Sequence, residues 1–318
     1  MKKFLLLLGL LLANVCQAQT WPGKPVRVIV NVAPGGVADV TARVLGARLA
    51  DTLGQGFLVE NRAGGDGYIG FDAVSRSDAD GHTLLYSPGS SVMIAPHIVS
   101  RPDLDPLKAL APVAATGRVS LYVIAHPEQP YKNFKEFLAY ARANPGKLNY
   151  GTPGNGTSPH IATEVFNREA NVKLNHVPYK GAGPALQDLI GGQIQVVFDP
   201  GVGIAPAKAG KVRMIAIAGP NRHPDFPDVP TLEENGIKHV DGGPHFGFYA
   251  PAATPREVVA KINAEVAKAM QHAPVAERFK ALAVDVAEPM SPEQFAAYVR
   301  AEHAKYAKLI PELGIKGK

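Results

Sequence analysis

Residues 26–53 read VRVIVNVAPGGVADVTARVLGARLADTL, and this stretch decides the fold class. The β-branched run Val26–Val30 predicts a buried strand. In Val37–Leu53 apolar residues recur at three- and four-residue spacing, which predicts a helix. The proline and two glycines at 34–36 fill the short connection between them. A strand that passes through a short loop into a helix is the repeating unit of α/β folds, so we expect an α/β protein.

The glycine loop favours an anionic ligand, because it exposes the unpaired N–H groups of a first helical turn at the carboxyl end of a sheet. Asp39 argues against a phosphate, since a carboxylate near the helix start already compensates part of the helix dipole. The Gly-Lys-Ser/Thr ending of a nucleotide-binding loop is also absent. We therefore expect a carboxylate held by one or two N–H groups. The alternative is a plain tight turn, with Asp39 stabilising its own helix and pairing with Arg43 one turn later.

The alternation of short β-branched runs and helical patterns continues along the chain and restarts near residue 125, which predicts two α/β units of largely parallel strands. The polar segment at 87–91 is predicted as a loop. After residue 251 the pattern is almost entirely helical, with helix-start signals at Thr254 and Ser291. We expect these last helices to pack on the first unit. The chain then crosses between two lobes near residues 121–125 and 246–251, and two lobes on such a hinge enclose a cleft.

The amino terminus has the pattern of a cleavable secretory signal peptide at residues 1–18. Lys2 and Lys3 precede an apolar stretch at 4–15, and a small residue, Ala18, precedes the expected cleavage point. Twelve residues fall short of the roughly 20 that a membrane-spanning helix needs, which disfavours a membrane anchor. A lipid-bearing Cys16 is a further alternative, disfavoured by the Asn-Val pair before it. We therefore expect a protein exported to the periplasm.

Composition limits the function classes. Cleavage after Ala18 would remove Cys16, the single cysteine, and with it any disulfide, thiolate nucleophile or cysteine metal ligand. Removing Lys2 and Lys3 as well leaves 31 basic and 28 acidic residues, a net charge of +3 that is too weak and dispersed to indicate nucleic acid. The remaining length suits two domains with large cores. A soluble protein with a small ligand fits these limits.

One motif resembles a cofactor-binding pattern only superficially. Residues 65–70, GDGYIG, match the dinucleotide-binding pattern, but they follow the second predicted strand and no acidic residue ends the next one. We interpret them as a turn with close backbone packing. The chain also lacks a G-x-S-x-G nucleophile motif and an H-E-x-x-H zinc motif. We therefore predict no catalytic residues, no metal site and no cofactor.

Further strand-loop-helix junctions lie in the second predicted lobe. The loop at 150–160, YGTPGNGTSPH, carries three hydroxyl residues that either cap the helix or donate to a ligand, namely Thr152, Thr157 and Ser158. At 177–184, Tyr179 and Lys180 are long enough to reach a carboxylate, although Lys180 fits a solvated surface charge equally well. Asp199 follows the run at 196–198 and either binds an amino or hydroxyl group or caps the next helix. These alternatives stay open.

A set of short motifs spread over the chain together carries a specific resemblance. They are WPxKPVR at 21–27, APGG at 33–36, VENR at 59–62, DGxTLL at 80–85, VPYKG at 177–181, DL at 188–189, GGQ at 191–193, KAGK at 208–211 and PDVPTL at 227–232. With these motifs the sequence resembles the extracytoplasmic solute receptors of the tripartite tricarboxylate transporter (TctC) family, also called Bug proteins. The resemblance covers essentially the whole chain after the signal peptide.

The resemblance implies a type II-like periplasmic binding fold, with residues 19–122 and 247–318 in the first lobe and 123–246 in the second. It also implies a monomer that closes on a small carboxylated solute (a dicarboxylate, tricarboxylate, aromatic acid or acidic amino acid) and passes it to a membrane permease. Carried over by position, the family's ligand-binding residues are Val32, Ala33, Gly35, Gly36, Val37, Ser90, Ser91, Thr152, Thr157, Ser158, His160, Tyr179, Gly181, Ala182 and Asp199.

Three departures from the family pattern bear on specificity. Asn31 stands where the family often has proline, Val37 and Ala38 where a hydroxyl residue commonly precedes the aspartate, and residues 244–246 where a tryptophan is frequent. Two other functions use the same architecture: an exported enzyme acting on a carboxylated substrate, and a sensor subunit presenting its ligand to a signalling receptor. The sequence leaves these alternatives open.

Overall fold

A computed structural model describes residues 21–64, 67–99, 101, 104–240 and 242–315. The predicted signal peptide at 1–18 lies outside these residues. The strands are β1 (Val26–Val30), β2 (Phe57–Asn61), β3 (Thr83–Ser87), β4 (Leu110–Val119), β5 (Leu121–Ala125), β6 (Asn149–Thr152), β7 (Asn175–Pro178), β8 (Val196–Asp199), β9 (Arg213–Ala218), β10 (Phe246–Pro251) and β11 (Val284–Val286).

The helices alternate with these strands up to residue 208 and then dominate the carboxyl-terminal part. They are α1 (Val37–Leu53), α2 (Tyr68–Ser75), α3 (Gly89–Met93), α4 (Pro106–Ala109), α5 (Phe134–Ala143), α6 (Ser158–Glu169), α7 (Ala182–Ile190), α8 (Ile204–Lys208), α9 (Arg256–Met270), α10 (Ala273–Ala281) and α11 (Pro292–Glu312). Short 3₁₀ turns add Ala95–His97 and Glu233–Asn235.

The strands form two sheets, each the centre of one α/β lobe. The first sheet has the order β11-β4-β10-β3-β1-β2, and the second has the order β7-β6-β8-β5-β9. In the first sheet β1 runs parallel to β2 and β3, whereas β10 runs antiparallel to β3 and β4. In the second sheet β6 runs parallel to β7 and β8, whereas β5 runs antiparallel to β8 and β9. The prediction of two α/β units is confirmed.

The prediction of largely parallel sheets is wrong. The antiparallel strands include β5 and β10, which lie where the chain passes between the sheets. A strand that enters a sheet from the other lobe is not tied to a right-handed strand-helix-strand crossover, so its direction is free to oppose that of its neighbours. The predicted lobe limits, 122/123 and 246/247, fall inside β5 and β10. These limits stay a prediction.

The carboxyl-terminal helices pack on the first lobe, as predicted, with α9 and α11 on β4 and α10 on α1. Ser291 forms a capping box with Gln294 at the start of α11. The prediction of a helix start at Thr254 is wrong, because Pro255 occupies the capping position of α9 and the Thr254 hydroxyl has no hydrogen-bond partner among the residues that the structure describes. Within the described ranges, none of the helices combines the length and apolarity that crossing a membrane requires.

Candidate functional site

The loop between β1 and α1 is held by the first turn of its own helix. Gly36 caps α1 in an extended conformation, and Gly35 has a φ of +81°, in the left-handed region that favours glycine. The buried Asp39 carboxylate accepts the Gly35 N–H at 3.0 Å through Oδ2 and pairs with Arg43 at 2.9 Å through Oδ1. The predicted Asp39–Arg43 pair is therefore confirmed. Because the Gly35 N–H is used in this way, the donors left at this end of α1 are the first-turn N–H groups, which helix geometry leaves without an acceptor.

Asn61, a residue that the sequence analysis missed, ties this loop to the neighbouring strand. Its amide donates to the Val32 carbonyl at 3.1 Å and accepts from Arg43 at 2.8 Å. Burial alone would raise the pKa of Asp39, but hydrogen bonds from Arg43 and from the Gly35 N–H outweigh it, so the pKa lies below its ordinary value. Asp39 is thus a charged anchor that orders the loop.

Ser90 and Ser91 lie in a short helix, which corrects the predicted loop at 87–91. Pro88 supplies the fixed backbone angle before α3, and the apolar side chains of Val92 and Met93 are buried beneath it. Ser90 is buried as well. This turn places both serines at the carboxyl end of β3, beside the end of β1.

In the second lobe, the predicted hydroxyl residues organise their own loop. Thr152 Oγ1 lies 2.6 Å from His176 Nε2 and 3.2 Å from the Gly154 carbonyl oxygen, and it also accepts the Gly154 N–H. Thr157 Oγ1 donates to the same carbonyl at 2.8 Å instead of capping α6. These side-chain hydrogen bonds fix the backbone shape of the loop.

His160, in the first turn of α6, packs against this loop and hydrogen-bonds to its backbone. Its Nδ1 accepts the Gly156 N–H at 3.2 Å, and its ring stacks on His176 at 4.0 Å between centroids. His176 stacks in turn on Tyr150. Burial lowers the pKa of His160 to about 4, so the imidazole is neutral at neutral pH. Since Nδ1 accepts, Nε2 carries the proton.

Ser158 is not brought together with the other predicted hydroxyl residues. Its Oγ faces Gly243, where a Cβ atom would come within 2.3 Å of it. Ser158 also lines a cavity of about 30 Å³ between α6, His239, Gly243 and α11, beside Lys305 and Tyr306. Ser158 therefore contributes to the contact between the lobes at the back of α6.

The third junction brings the two lobes into contact. Tyr179 donates its hydroxyl to Asp188 on α7 at 2.8 Å, and burial raises the pKa of Tyr179 to about 12. Gly181 caps α7 at a φ of +135°, and a Cβ atom placed on it would lie 3.5 Å from the Cβ of Ala33 in the first-lobe loop. Ala182 is the first residue of α7. Two predicted residues from opposite lobes therefore face each other here.

Asp199 ends β8 and closes the turn that follows. It is fully buried, and its Oδ2 accepts the N–H groups of Gly201 at 2.7 Å and Gly203 at 2.8 Å. Within the part of the chain that the structure describes, Oδ1 has no hydrogen-bond partner. Burial raises the pKa of Asp199 to about 6, against the opposing effect of the two N–H donors. A Cβ on Gly201 would lie 3.7 Å from Val37 Cγ2 and 3.1 Å from the Leu282 carbonyl oxygen, so this turn also meets the first lobe.

The described residues contain no group of three or more His, Cys, Asp or Glu side chains that could hold a metal ion.

The comparisons with known proteins agree on one protein family. The family model described as the tripartite tricarboxylate transporter family receptor (TctC) matches residues 41–315. The chain belongs to this family. Its description is that of a receptor, not of an enzyme.

Solved structures that are similar to this chain over most of its length agree with this assignment. The periplasmic binding protein BugD is 30% identical to this chain, covering 94% of it and 100% of BugD, with a TM-score of 0.86. Rpa4515 of R. palustris, solved with adipate, is 29% identical over 94% of this chain and 100% of its own, with a TM-score of 0.88. MatC of Rhodopseudomonas palustris, solved with malate, is 33% identical over 91% and 100%, with a TM-score of 0.83. The predicted periplasmic binding fold is confirmed.

Proposed function

We propose that the protein is a periplasmic solute-binding receptor that captures a small carboxylated solute as a monomer and passes it to the permease of a tripartite tricarboxylate-type transporter. Family membership supports the receptor role, and the two similar proteins solved with dicarboxylates, adipate and malate, support the ligand class. The likeness to the periplasmic binding protein BugD supports the location, together with the signal-peptide pattern at residues 1–18.

One observation carries the proposal: the first-lobe loop and the start of α1 lie directly against two second-lobe junctions. Ala33 faces Gly181, and Val37 faces Gly201. The N–H groups of Val37 and Ala38 belong to the first turn of α1, and they have no acceptor within the helix. Donors at the positive end of a helix, enclosed between two lobes, suit a carboxylate.

Magnitudes explain why both lobes take part. Micromolar affinity corresponds to about 8 kcal/mol, whereas a hydrogen bond to a charged group contributes about 1.5–3 kcal/mol. Two N–H donors from α1 therefore provide less than micromolar affinity requires, before the entropy of association is subtracted. Backbone donors at the starts of α6 and α7 supply the remainder in this proposal. Ligand binding and lobe closure then become one event.

Val37→Pro tests the donor directly. Proline is well tolerated at the first position of a helix, and the extended conformation of Gly36 is the one that proline requires before it. The substitution removes the Val37 N–H, whereas Val37→Ala removes the same side-chain contact and keeps the N–H. Loss of one charge-assisted hydrogen bond corresponds to about a tenfold or greater drop in affinity.

The measurement is isothermal titration calorimetry with the purified protein and the acids that raise its melting temperature in a screen. The screen contains dicarboxylates, tricarboxylates, aromatic acids and acidic amino acids, with neutral sugars for comparison. Tighter binding to Val37→Ala than to Val37→Pro supports the proposal. Stabilisation by neutral solutes alone, or equal affinities of the two variants, contradicts it.

The role after binding needs a separate test. Co-purification with a tripartite-type permease, and loss of uptake of the ligand in cells that lack the receptor, support transport. Co-purification with a signalling receptor would favour the sensor alternative. Conversion of the ligand during long incubation would favour the enzyme alternative.

A further inference from the structure

The side chain of Asn31 is buried with one polar atom unpaired. Asn31 is the first residue after β1 and is 2% exposed. Its Nδ2 donates to the Gly67 carbonyl at 3.3 Å, and this fixes the orientation of the amide because a carbonyl oxygen only accepts. Oδ1 is then directed elsewhere and has no hydrogen-bond partner among the described residues. Buried acceptors are rarely left unpaired, so we expect a hydrogen-bond donor opposite Oδ1.

The amide lies beside the residues proposed to bind the solute. Asn31 directly precedes the first-lobe loop at 32–37. A Cβ atom on Gly67 would lie 2.8 Å from Asn31 Nδ2 and 2.9 Å from Ser91 Oγ, so the amide and this serine hydroxyl are neighbours across Gly67. Gly70 packs on the Cβ of Asn31 from the other side, where an added Cβ would come within 2.7 Å. The side chain is therefore held in place between two proposed ligand-binding segments.

The hydrogen-bond donors and the hydrogen-bond acceptors at this site suit different chemical groups of a solute. The first-turn N–H groups of α1 suit a carboxylate, whereas an amide oxygen repels one, because both groups only accept hydrogen bonds. The second lobe has a similar feature, since Asp199 Oδ1 is fully buried and unpaired while Oδ2 accepts two N–H groups. A solute that offers only carboxylate oxygens and methylenes would leave these acceptors without a donor.

We infer that Asn31 is a specificity-determining residue, and that the bound solute carries a hydroxyl or ammonium group near its carboxylate that donates to Asn31 Oδ1. The inference rests on the proposed function and narrows its ligand class to hydroxy- and amino-substituted carboxylic acids. It separates this protein from a receptor for unsubstituted diacids.

Matched acids test the inference. Calorimetric titrations compare pairs that differ only by one hydroxyl: propionate and lactate, succinate and malate, glutarate and 2-hydroxyglutarate, and 3-phenylpropionate and 3-phenyllactate. Alanine, aspartate, glutamate and phenylalanine are the amino counterparts. A buried hydrogen bond to the solute predicts at least a tenfold preference for a substituted acid over its parent.

Asn31→Leu keeps a similar volume and removes both polar atoms. It is expected to lower the affinity for the substituted acid about tenfold and to leave the parent acid unchanged, so the preference disappears. Because both acids are measured on one variant, a general loss of folded protein does not alter their ratio. Asn31→Ala is the second variant if Asn31→Leu does not fold.

Asn263→Leu is the matched control. Asn263 lies on α9 and donates to the carbonyls of Val113 and Met290, away from the proposed site. Its replacement is expected to lower stability and to preserve the preference.

Three outcomes separate the proposals. A preference that is present in the natural protein and lost only in the Asn31 variants supports the inference. Equal binding of parent and substituted acids, or a preference that survives Asn31→Leu, overturns the inference and leaves the proposed function standing; the second result is the one expected if a bound water satisfies Oδ1. Failure of every acid to bind overturns the proposed function itself.

Discussion

Asp199→Asn is the substitution whose effect follows most directly from the structure. The asparagine side chain keeps an oxygen for the N–H groups of Gly201 and Gly203. It replaces the unpaired Oδ1 by an NH₂ group and removes the charge from a fully buried position. We expect the variant to be more stable than the natural protein at neutral pH.

The size and the sign of the effect follow from the raised pKa of Asp199. The ordinary value is 3.8 and the folded value is about 6, which corresponds to about 3 kcal/mol at 1.36 kcal/mol per pKa unit. Because the folded pKa is the higher one, the folded state binds more protons between about pH 4 and pH 6. The contribution of Asp199 to the free energy of unfolding is therefore fully present below pH 4 and is lost as the pH rises to 6. The neighbouring Tyr122, whose pKa is raised by burial and by nearby carboxylates, stays neutral throughout.

The assay is urea unfolding of the ligand-free proteins from pH 4.5 to pH 8, followed by Trp21 fluorescence and by circular dichroism. The difference in unfolding free energy between Asp199→Asn and the natural protein should grow with pH and level off above pH 6, at up to about 3 kcal/mol. Histidine titration, including that of His160, contributes equally to both proteins and cancels. Asp51→Asn, at an exposed position on α1, removes the same charge as a control. A constant difference across the pH range would refute the reasoning.

Three further predictions use the same measurements. Gly201 has a φ of +114°, and Gly201→Ala adds a methyl group against a first-lobe carbonyl, so this variant should bind the ligand about tenfold more weakly in calorimetry. Gly210 has a φ of +69° and lies in open space, so Gly210→Ala should lower stability and leave the ligand affinity unchanged. Tyr86→Phe breaks hydrogen bonds to two threonine hydroxyls and should lower the unfolding free energy by about 1–2 kcal/mol, whereas Tyr249→Phe, which removes an unpaired buried hydroxyl, should be neutral or stabilising. Ser291→Ala removes the capping box and should cost about 1 kcal/mol in the same unfolding assay.

Local sequence patterns predicted the first unit of the fold well. The bounds of β1 and α1 match the prediction, because a β-branched run and a helical repeat are both local signals. The Asp39–Arg43 pair was also predictable, since its partners are one helical turn apart. Asn61 was not, because it reaches the loop from a neighbouring strand 29 residues away in sequence. Only the sheet pairing brings it there.

Local sequence patterns did not predict the strands β4 and β11, and the reason is different. β4 contains Pro112 and Gly117, two residues that normally argue against a central strand. In the structure β4 pairs with β10 through register irregularities and with β11 through its last residues, and these irregularities accommodate the proline and the glycine. The three-residue β11 is too short to show any period. Both strands depend on pairing partners more than 100 residues away, which local patterns do not report.

For the candidate site, the sequence left the roles of individual side chains open. Thr152 and Thr157 had two interpretations, and the structure uses both hydroxyls to shape the loop around Gly154. Asp199 also had two interpretations. Its Oδ2 accepts a backbone N–H group of the following turn, as the capping interpretation requires, and its Oδ1 is unpaired among the described residues. The residue type alone does not show which neighbouring group a hydroxyl or carboxylate side chain contacts. That information comes from the positions of strands distant in sequence.

Glycine at the lobe contacts links specificity to closure in the proposed mechanism. Gly181 and Gly201 let the second lobe approach Ala33 and Val37. A larger side chain at either position would strain the backbone, and at Gly201 its Cβ would also lie 3.1 Å from the Leu282 carbonyl oxygen of the first lobe, which impedes closure. The N–H donors of α1 and the Asn31 oxygen belong to the first lobe, so an open protein would offer the solute only part of its hydrogen bonds. A solute that satisfies both the donors and the acceptor gains the second-lobe bonds on closure, whereas one that leaves Asn31 unpaired closes the lobes less favourably. Discrimination by Asn31 should therefore be larger in the natural protein than in Gly201→Ala, where closure is impeded.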